Sequence, residues 1–422
     1  MNYLAFILSN PRFLAYGFLM LFFSSFGQTY FFGPFTNSIR LDMGLSHGEI
    51  GLLFSISTGI AGVLMMWVGR KIDDVDLRFF TAVICAGLIA GCFAMSAATN
   101  IVTLLFAFFL LRLSGQGLMM HASFTTMARY FDKERGKAVS VAGFGMAAAQ
   151  AVFPGIARIM DAELGWRDAW QYSAILLTIV LIPLMMWLLT GHGERHEKFL
   201  EENEEGQAAG TAKSDAWVRR VLLKDIRFYL IFPAFMSMPY LLTGFIFHQQ
   251  FLADAKGWSY DLQPAAFTAF AGIGFICSVF GGPLVDRFGA RNLIPFNSIP
   301  LILGIAVLAM TDDPIAAWLY LGLAGVSLGF AIPIGGAFWA EMYGPAHVGS
   351  ARAIMGACGM IATALAPYTM GLLFDVGISV DAIAIWGVAY MIVALALVWL
   401  MVFRYWVQPG VTPGVPERAL ND

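Results

Sequence analysis

Charged residues are scarce in this chain of 422 residues, at 13% of the total, whereas soluble domains carry about a quarter. Hydrophobic residues make up 59%, and the mean hydropathy is +0.72. One water-soluble core cannot cover so much apolar surface. Long apolar runs recur from Phe13 to Phe403, so the composition predicts a helical protein that crosses a lipid bilayer many times.

Motifs of several other classes of protein are also absent. The four cysteines, Cys85, Cys92, Cys277 and Cys358, lie in apolar segments without the spacing of a metal site or a disulfide framework. No Walker or HExxH sequence occurs, so we expect neither an ATPase nor another enzyme, and no cofactor or metal. The net charge of −3 does not favour nucleic acid. The N-terminus lacks a signal-peptide cleavage pattern, which favours a retained first span.

The hydrophobic pattern predicts an all-α membrane protein with twelve spans, each meeting the roughly 20 residues that a bilayer requires. The predicted spans 1 to 12 are 12–37, 47–69, 77–97, 101–127, 137–160, 169–191, 226–253, 262–285, 291–310, 315–341, 350–374 and 381–405. A charged, Gly- and Ala-rich segment that we expect to be flexible separates the sixth from the seventh. The predicted domains are an N-terminal six-helix bundle (1–191), a cytoplasmic linker (192–225) and a C-terminal six-helix bundle with a short cytoplasmic tail (226–422).

Lysine and arginine predict the orientation, because cytoplasmic loops carry an excess of both. Most of them lie in the even-numbered loops, the linker and the termini. The odd-numbered loops hold only Arg40, Arg158, Arg167 and Lys256. We therefore expect a multi-pass protein of the cytoplasmic (inner) membrane with both termini in the cytoplasm.

Two loops of the chain repeat each other. The loop after span 2 reads GRKIDDVDLR (69–78), and the loop after span 8 reads GPLVDRFGAR (282–291). Gly69 pairs with Gly282, Asp73 with Asp286 and Arg78 with Arg291, always 213 residues apart. An offset of half the chain predicts duplication of a six-helix unit.

The second loop resembles the signature loop GxxxDRxGxR of the major facilitator superfamily. Its matching residues are Gly282, Asp286, Arg287, Gly289 and Arg291, whereas the first loop departs with Asp74 for Arg and Asp76 for Gly. The segments RYFDKERGKAVSVAGFGMAAAQAVFP, GWRDAW and AEMYGPAHVGSARA resemble the monocarboxylate porter and oxalate/formate antiporter branch. The resemblance implies the major facilitator fold, two pseudo-symmetric bundles in which spans 1, 4, 7 and 10 line a central cavity.

The loop residues are expected to control conformation rather than substrate choice. An aspartate near a helix end can hold an arginine or accept from backbone amides, and such bonds can break when the halves rock. The alternative is a solvated charge cluster that only marks the cytoplasmic side. The candidate gating residues are Asp73, Arg78, Gly282, Asp286, Arg287, Gly289, Arg291, Glu341 and Arg352. We expect Glu341 to pair with Arg352.

Span 4 carries an arginine near its middle, where a charge costs about 2.5–3.5 kcal/mol on insertion scales. At 100° per residue, Arg112 shares a stripe with Gln116, Met119 and Ser123, and His121 points to the opposite side. On the superfamily plan this stripe faces the cavity, where a guanidinium would attract a carboxylate or phosphate. The alternative is a structural arginine that bonds a neighbouring helix.

Other polar side chains in apolar spans complete the candidate binding set. In span 1, the helix can bend at Gly27, Gly33 and Pro34, beside the polar residues Gln28 and Tyr30. For His248 the alternative is a histidine at the membrane interface. For Gln150 the alternative is a hydrogen bond to the backbone of a neighbouring helix. The candidates are Gln28 and Tyr30 (span 1), Gln150 (span 5), Tyr240, His248 and Gln249 (span 7) and Trp339 (span 10).

These features predict a secondary active transporter of a small organic solute, such as a monocarboxylate, by alternating access. Span 8 lacks the arginine that monocarboxylate-type relatives often carry, so proton-coupled efflux of hydrophobic or aromatic compounds stays open. The alternative of another class is a transporter-like receptor. We expect a monomer in the lipid bilayer whose partner is a small-molecule substrate. If transport is proton-coupled, a co-transported proton is a second partner.

Overall fold

The protein is built from membrane-length helices. The computed structural model describes residues 3–72, 74–131, 134–203, 222–344 and 348–405, and every regular element in this part is a helix. Eleven of its helices are long and apolar enough to cross a bilayer. They are span 2 (His47–Ile72), span 3 (Leu77–Ser96), span 4 (Ile101–Tyr130), span 5 (Arg135–Leu164), span 6 (Trp166–Leu188), span 7 (Ile226–Phe247), span 8 (Leu262–Phe288), span 9 (Ala290–Met310), span 10 (Ile315–Tyr343), span 11 (Val348–Asp375) and span 12 (Val380–Arg404). The predicted all-α membrane architecture is confirmed.

The first span is broken into short helices. They run Pro11–Phe23, Ser24–Gly27, Thr29–Phe32, Gly33–Phe35 and Thr36–Asp42. The backbone of span 4 packs directly on Gly27, where a side chain would collide with the Leu111 carbonyl and Gly115. The predicted bend is confirmed, and Gln28 in the break has an extended backbone with ψ of 148°.

Two segments differ from the predicted boundaries. The linker begins with a helix, His192–Asn203, so the expectation of a flexible segment is wrong for this part. Aromatic contacts hold the helix, because the His192 ring stacks on Phe13 and Tyr130 Oη lies 2.9 Å from His196 Nδ1. Span 7 ends at Phe247, and a separate helix follows over Gln249–Lys256.

The same hydrogen bond occurs in both halves at the repeat distance. Arg78 Nε donates to the Leu189 carbonyl over 3.1 Å, and Arg291 Nη2 donates to the Val402 carbonyl over 3.0 Å. The arginines and their acceptors are each 213 residues apart. Each arginine ties the start of the third span of its half to the end of the sixth, as a duplicated unit requires.

The two loops cap the following helix in different ways. Asp76 accepts from its own helix, from the amides of Arg78 and Phe79. At the equivalent position Gly289 has a φ of +75°, and Glu341 of span 10 supplies the acceptors instead. Its carboxylate accepts from the amides of Ala290 and Arg291 over 2.7 and 2.8 Å.

The predicted pairing of Glu341 with Arg352 is therefore wrong. The carboxylate of Glu341 binds the N-terminus of span 9, where unpaired amides and the helix dipole favour an anion. Arg352 is exposed at the start of span 11.

Candidate functional site

Span 4 changes its helical geometry at the arginine. The α-helix Ile101–Leu111 gives way to a π-helix over Arg112–Met119, and α-helix resumes at Met120–Tyr130. Such segments are rare and occur frequently at functional sites. With roughly 4.4 residues per turn in the π-segment, His121 lies only about 50° around the axis from Arg112, instead of opposite it. The expectation that His121 points away is therefore wrong.

Arg112 is buried, with 1% of its surface exposed, and is held by neutral partners. Its Nε donates to Thr58 Oγ1 over 2.9 Å, and its Nη1 donates to the Gly27 carbonyl over 2.8 Å. The guanidinium carbon lies 4.7 Å from the Phe54 ring centroid. Nη2 has no hydrogen-bond partner, and no acidic side chain among the described residues forms an ion pair with this arginine.

A cavity of about 310 Å³ lies beside Arg112, at the boundary between the halves. Spans 2 and 4 form most of its wall, and Met360 of span 11 contributes from the C-terminal half. The lining residues are Thr58, Ala61, Gly62, Met65, Arg112, Gln116, Gly117, Met120, His121, Phe124, Thr125 and Met360. Arginine is the only permanently charged side chain among them, so the cavity has a net positive wall.

Two of the predicted binding residues, Arg112 and Gln116, line this cavity. Gln28 reaches its edge, because its Nε2 donates to the sulfur of Met120 over 3.1 Å. Ser123, which the α-helical stripe included, instead donates to the Gly17 carbonyl of span 1. Met119 is fully buried and also lies off the cavity, because the π-segment rotates the later residues of the stripe.

The other predicted binding residues lie elsewhere. Tyr240 bonds Thr369 on span 11 over 2.6 Å. His248 Nε2 lies 2.8 Å from the Pro367 carbonyl, and Gln249 is buried against Gly33. Tyr30 bonds Ser25 over 2.8 Å, and its ring lies 6.3 Å from that of Phe267 on span 8. Gln150 is half-buried on span 5, and Trp339 packs between Phe235 and Phe338.

Sequence reasoning missed the methionines of the cavity. Met65, Met120 and Met360 come from three different spans, and the chain has 22 methionines. A methionine in an apolar helix is a common packing residue, so no local signal separates these three from the rest.

The halves meet closely at the end opposite the termini. Asp375 at the end of span 11 accepts from Ser46 Oγ and from the amides of His47 and Gly48, over 2.7 to 2.9 Å. A side chain at Gly51 would collide with the Pro367 carbonyl, and one at Gly371 with the His47 carbonyl. Spans 2 and 11 are therefore in backbone contact there.

Two further pairs of elements close the same end. Thr36 donates to the Phe247 carbonyl, and the Asn37 amide donates to Gln250 Oε1. These bonds join span 1 to the end of span 7 and to the helix that follows it. Arg158 of span 5 donates to Asp261, the residue before span 8, over 3.0 Å. The contacts of Thr36 and Asn37 are neutral hydrogen bonds, and the contact between Arg158 and Asp261 is an ion pair whose carboxylate is exposed. Water can satisfy all of these groups when the contacts open.

Several predicted gating residues lie at the other end. Asp73 lies outside the described residues. Asp286 and Arg287 are exposed, with the Arg287 guanidinium 5.2 Å from the Phe288 ring, and Gly282 is half-buried. Arg78, Gly289, Arg291 and Glu341 make the contacts within each half described above.

The sequence is similar to known transporters along most of its length. The profile of the Major Facilitator Superfamily matches residues 17–323 and 234–420. The uncharacterized MFS-type transporter YcxA of Bacillus subtilis (strain 168) is 24% identical over 361 residues, which cover 82% of this chain and 83% of the relative. The probable nitrate transporter NarT of Staphylococcus aureus (strain JH9) is 23% identical over 286 residues, which cover 66% of this chain and 67% of the relative.

A solved structure shares the fold. It is a bacterial homologue of the human lysosomal transporter Spinster in an inward-facing and unoccupied conformation. The TM-score is 0.67 at 14% identity, with 93% of this chain and 97% of that chain covered. With the helical architecture, the repeated loops and a profile match over most of the sequence, the chain belongs to the major facilitator superfamily.

Proposed function

We propose that this secondary transporter carries a compact organic anion, such as a monocarboxylate, across the cytoplasmic membrane by alternating access. The proposal rests on the environment of the Arg112 side chain. Its guanidinium is buried beside a cavity between the halves, keeps Nη2 without a partner, and has only neutral partners on its other nitrogens.

The electrostatic cost of this arrangement favours an anionic ligand. A cation at bilayer depth costs about 2.5–3.5 kcal/mol on insertion scales, and a buried charge is normally paired. Two neutral oxygens and one aromatic face offset only part of that cost. A carboxylate that accepts from Nη2 would supply the missing counter-charge and a charge-assisted hydrogen bond.

Alternating access is supported by the closure at one end. The contacts of Asp375, Thr36, Asn37 and Arg158 join the halves opposite the termini. From the lysine and arginine distribution we expect this closed end outside and the termini in the cytoplasm. The cavity would then open to the cytoplasm in this conformation, and breaking the outer contacts would expose it to the other side.

A second candidate, export of hydrophobic or aromatic compounds, is favoured by a different cavity. An apolar groove of about 480 Å³ lies between spans 7, 11 and 12 and is lined by Phe232, Tyr240, Trp386 and Tyr390 among others. Trp386 and Tyr390 are exposed on its rim, on a surface that the bilayer would cover. An amphiphilic compound could enter it from the membrane.

Uptake into proteoliposomes that contain the full chain tests the first proposal. Labelled acetate, lactate and benzoate are offered to the wild type, Arg112→Lys and Arg112→Gln. We expect uptake of at least one probe by the wild type and about a hundredfold loss in both variants, because losing a charged hydrogen bond costs about 2–3 kcal/mol. Arg12→Gln is the matched control, since Arg12 is exposed and far from the cavity in sequence and contacts. It donates to backbone carbonyls of span 6 and its C-terminal end, and its guanidinium lies 5.4 Å from the Trp187 ring centroid.

Folding is checked by the size-exclusion profile and the thermal melt of each variant. Normal uptake by Arg112→Gln would remove the assigned role of the arginine. Unfolded protein in both variants would show that Arg112 is structural. A ligand that binds and never crosses would identify a receptor instead of a transporter.

A further inference from the structure

The wall of the Arg112 cavity combines one cation with a soft apolar surface. Met65 of span 2, Met120 of span 4 and Met360 of span 11 line it, and Phe124 lies at its exposed side. Methionine sulfur makes favourable contacts with aromatic rings at about 5 Å, often at the ring edge. Three sulfurs from three spans can therefore contact one flat ring from different sides.

The charge of the cavity limits the ligand to a single negative charge. Arg112 supplies one formal positive charge and one free donor nitrogen, and no acidic side chain in the described part of the chain lines the cavity. A dianion would bring a second charge into an apolar wall without a partner, which is unfavourable. A neutral ligand would leave the positive charge of the guanidinium uncompensated.

The size of the cavity accommodates one substituted ring. At about 310 Å³ it has roughly twice the volume of the 150 Å³ cavity that accommodates benzene. A benzene ring with a carboxylate and a short substituent occupies this space. An inorganic anion such as nitrate would leave most of the apolar wall without contact.

The C-terminal half contributes to the same wall. Met360 is close to Gly62 of span 2, where a side chain would collide with its sulfur. A ring in the cavity would therefore contact both halves, as a ligand that responds to their relative movement must.

We propose that the cavity binds an aromatic monocarboxylate, with the carboxylate on Arg112 and the ring between Met65, Met120 and Met360. This inference rests on the proposed function, because it names the substrate class of the same anion site.

Calorimetric titration of the purified full chain at pH 7.5 tests the inference with five probes. Benzoate is compared with cyclohexanecarboxylate, which keeps the charge without the aromatic ring, and with benzyl alcohol, which keeps the ring without the charge. Phthalate carries a second negative charge, and nitrate is an anion without an organic group. We expect benzoate to bind most tightly, cyclohexanecarboxylate about three- to tenfold more weakly, and the other three at least about tenfold more weakly.

Neighbouring methionines give a matched pair of variants. Met65→Ala should weaken benzoate more than cyclohexanecarboxylate, whereas Met66→Ala should change neither, because Met66 is 64% exposed outside the cavity. Met65→Leu keeps the side-chain volume without the sulfur and should lose the preference for benzoate, so it replaces Met65→Ala if that variant does not fold.

The outcomes separate this inference from the proposed function. Equal binding of benzoate and cyclohexanecarboxylate, or tighter binding of nitrate, overturns the aromatic class and leaves an anion transporter. Equal binding of benzoate and benzyl alcohol overturns the role of Arg112 in recognition. Absence of binding by all five probes overturns the inference. In that case, uptake of acetate or lactate in the proteoliposome experiment would show that the proposed anion transport still holds.

Discussion

Arg112 is stabilised in the bilayer region by neutral acceptors, and no described residue gives it an acidic partner. One acceptor is a threonine hydroxyl, and the other is the Gly27 carbonyl at the break of span 1. In an unbroken α-helix that carbonyl would accept from an amide four residues further on. The glycine-induced break and the buried arginine are thus two parts of one arrangement, because the break leaves a backbone oxygen to accept from the guanidinium.

Glu341 offers a prediction at the same scale. Glu341→Gln keeps the shape of the side chain and removes its charge, so the N-terminus of span 9 loses a charged cap. We expect this variant to be destabilised by about 1 kcal/mol, seen as a lower thermal midpoint of the purified protein. Arg352→Gln is the control and should leave the midpoint unchanged.

The double variant makes the test more specific. Since the two side chains do not pair, the effects of Glu341→Gln and Arg352→Gln should add. A coupling energy as large as the effect of Glu341→Gln alone would show that the two side chains form the salt bridge predicted from the sequence.

Single residues show how far the sequence predicts the site. Arg112, Gln116 and Gln28 were found because polar groups in apolar spans are costly and therefore noticeable. Met65, Met120, Met360 and His121 were missed or misplaced. His121 was misplaced because of the π-segment, which widens the turn and cannot be distinguished from α-helix in a sequence that reads as one continuous span. The three methionines were missed because a methionine in an apolar helix is a common packing residue.

At the scale of elements, the start of span 2 is capped from both halves. Ser46 and Glu49 form a capping box within the N-terminal half, and Asp375 adds an acceptor from the C-terminal half. The positive end of the helix dipole thus holds a carboxylate of the opposite bundle. We call the end opposite the termini the outer end, as in the proposed orientation. Opening of this end would break the contact, so its strength would bias the equilibrium between a closed and an open conformation.

Asp375→Asn should therefore favour opening at the outer end. The expected change is about two- to fivefold in the open population, from a charge–dipole energy of about 0.3–1 kcal/mol. The measurement is labelling of a Phe251→Cys reporter by an impermeant maleimide, in a chain whose four native cysteines are replaced. Phe251 contacts His47 across the closed end, with ring centroids 4.5 Å apart.

Asp313→Asn is the matched control for this variant. Asp313 lies at the same end and also accepts from a backbone amide, that of Ile315, but within its own half. Equal labelling in Asp375→Asn and Asp313→Asn would contradict the role of Asp375.

At the scale of the whole molecule, the helical membrane architecture followed from the sequence. Apolar length predicted twelve spans, and eleven of them are helices long enough to cross a bilayer in the part of the chain that the structure describes. The equivalent bonds of Arg78 and Arg291 agree with the predicted repeat. The way in which the halves meet was not predicted. It depends on glycines at contact points between distant spans, such as Gly51 and Gly371, and the sequence does not tell a contact glycine from one that faces lipid.

Two glycines of span 2 test this contact. Gly51→Ala should hinder closure of the outer end, because the added methyl group collides with the Pro367 carbonyl, and uptake should fall at least about tenfold. Gly59→Ala is the control, since nothing lies within 4 Å of an added Cβ there. Both variants are compared for uptake and for maleimide labelling of the Phe251→Cys reporter. Unchanged uptake and labelling in Gly51→Ala would show that the closed end tolerates wider spacing.

The neutral surroundings of Arg112 also affect the energetics of a transport cycle. No acidic neighbour of Arg112 occurs among the described residues, so the empty protein would change conformation with an uncompensated positive charge inside the low-dielectric region. If an anion binds Arg112 as proposed, the loaded protein changes conformation with that charge compensated. The unloaded return step then has the higher electrostatic barrier, and we expect exchange of one anion for another to be faster than net movement.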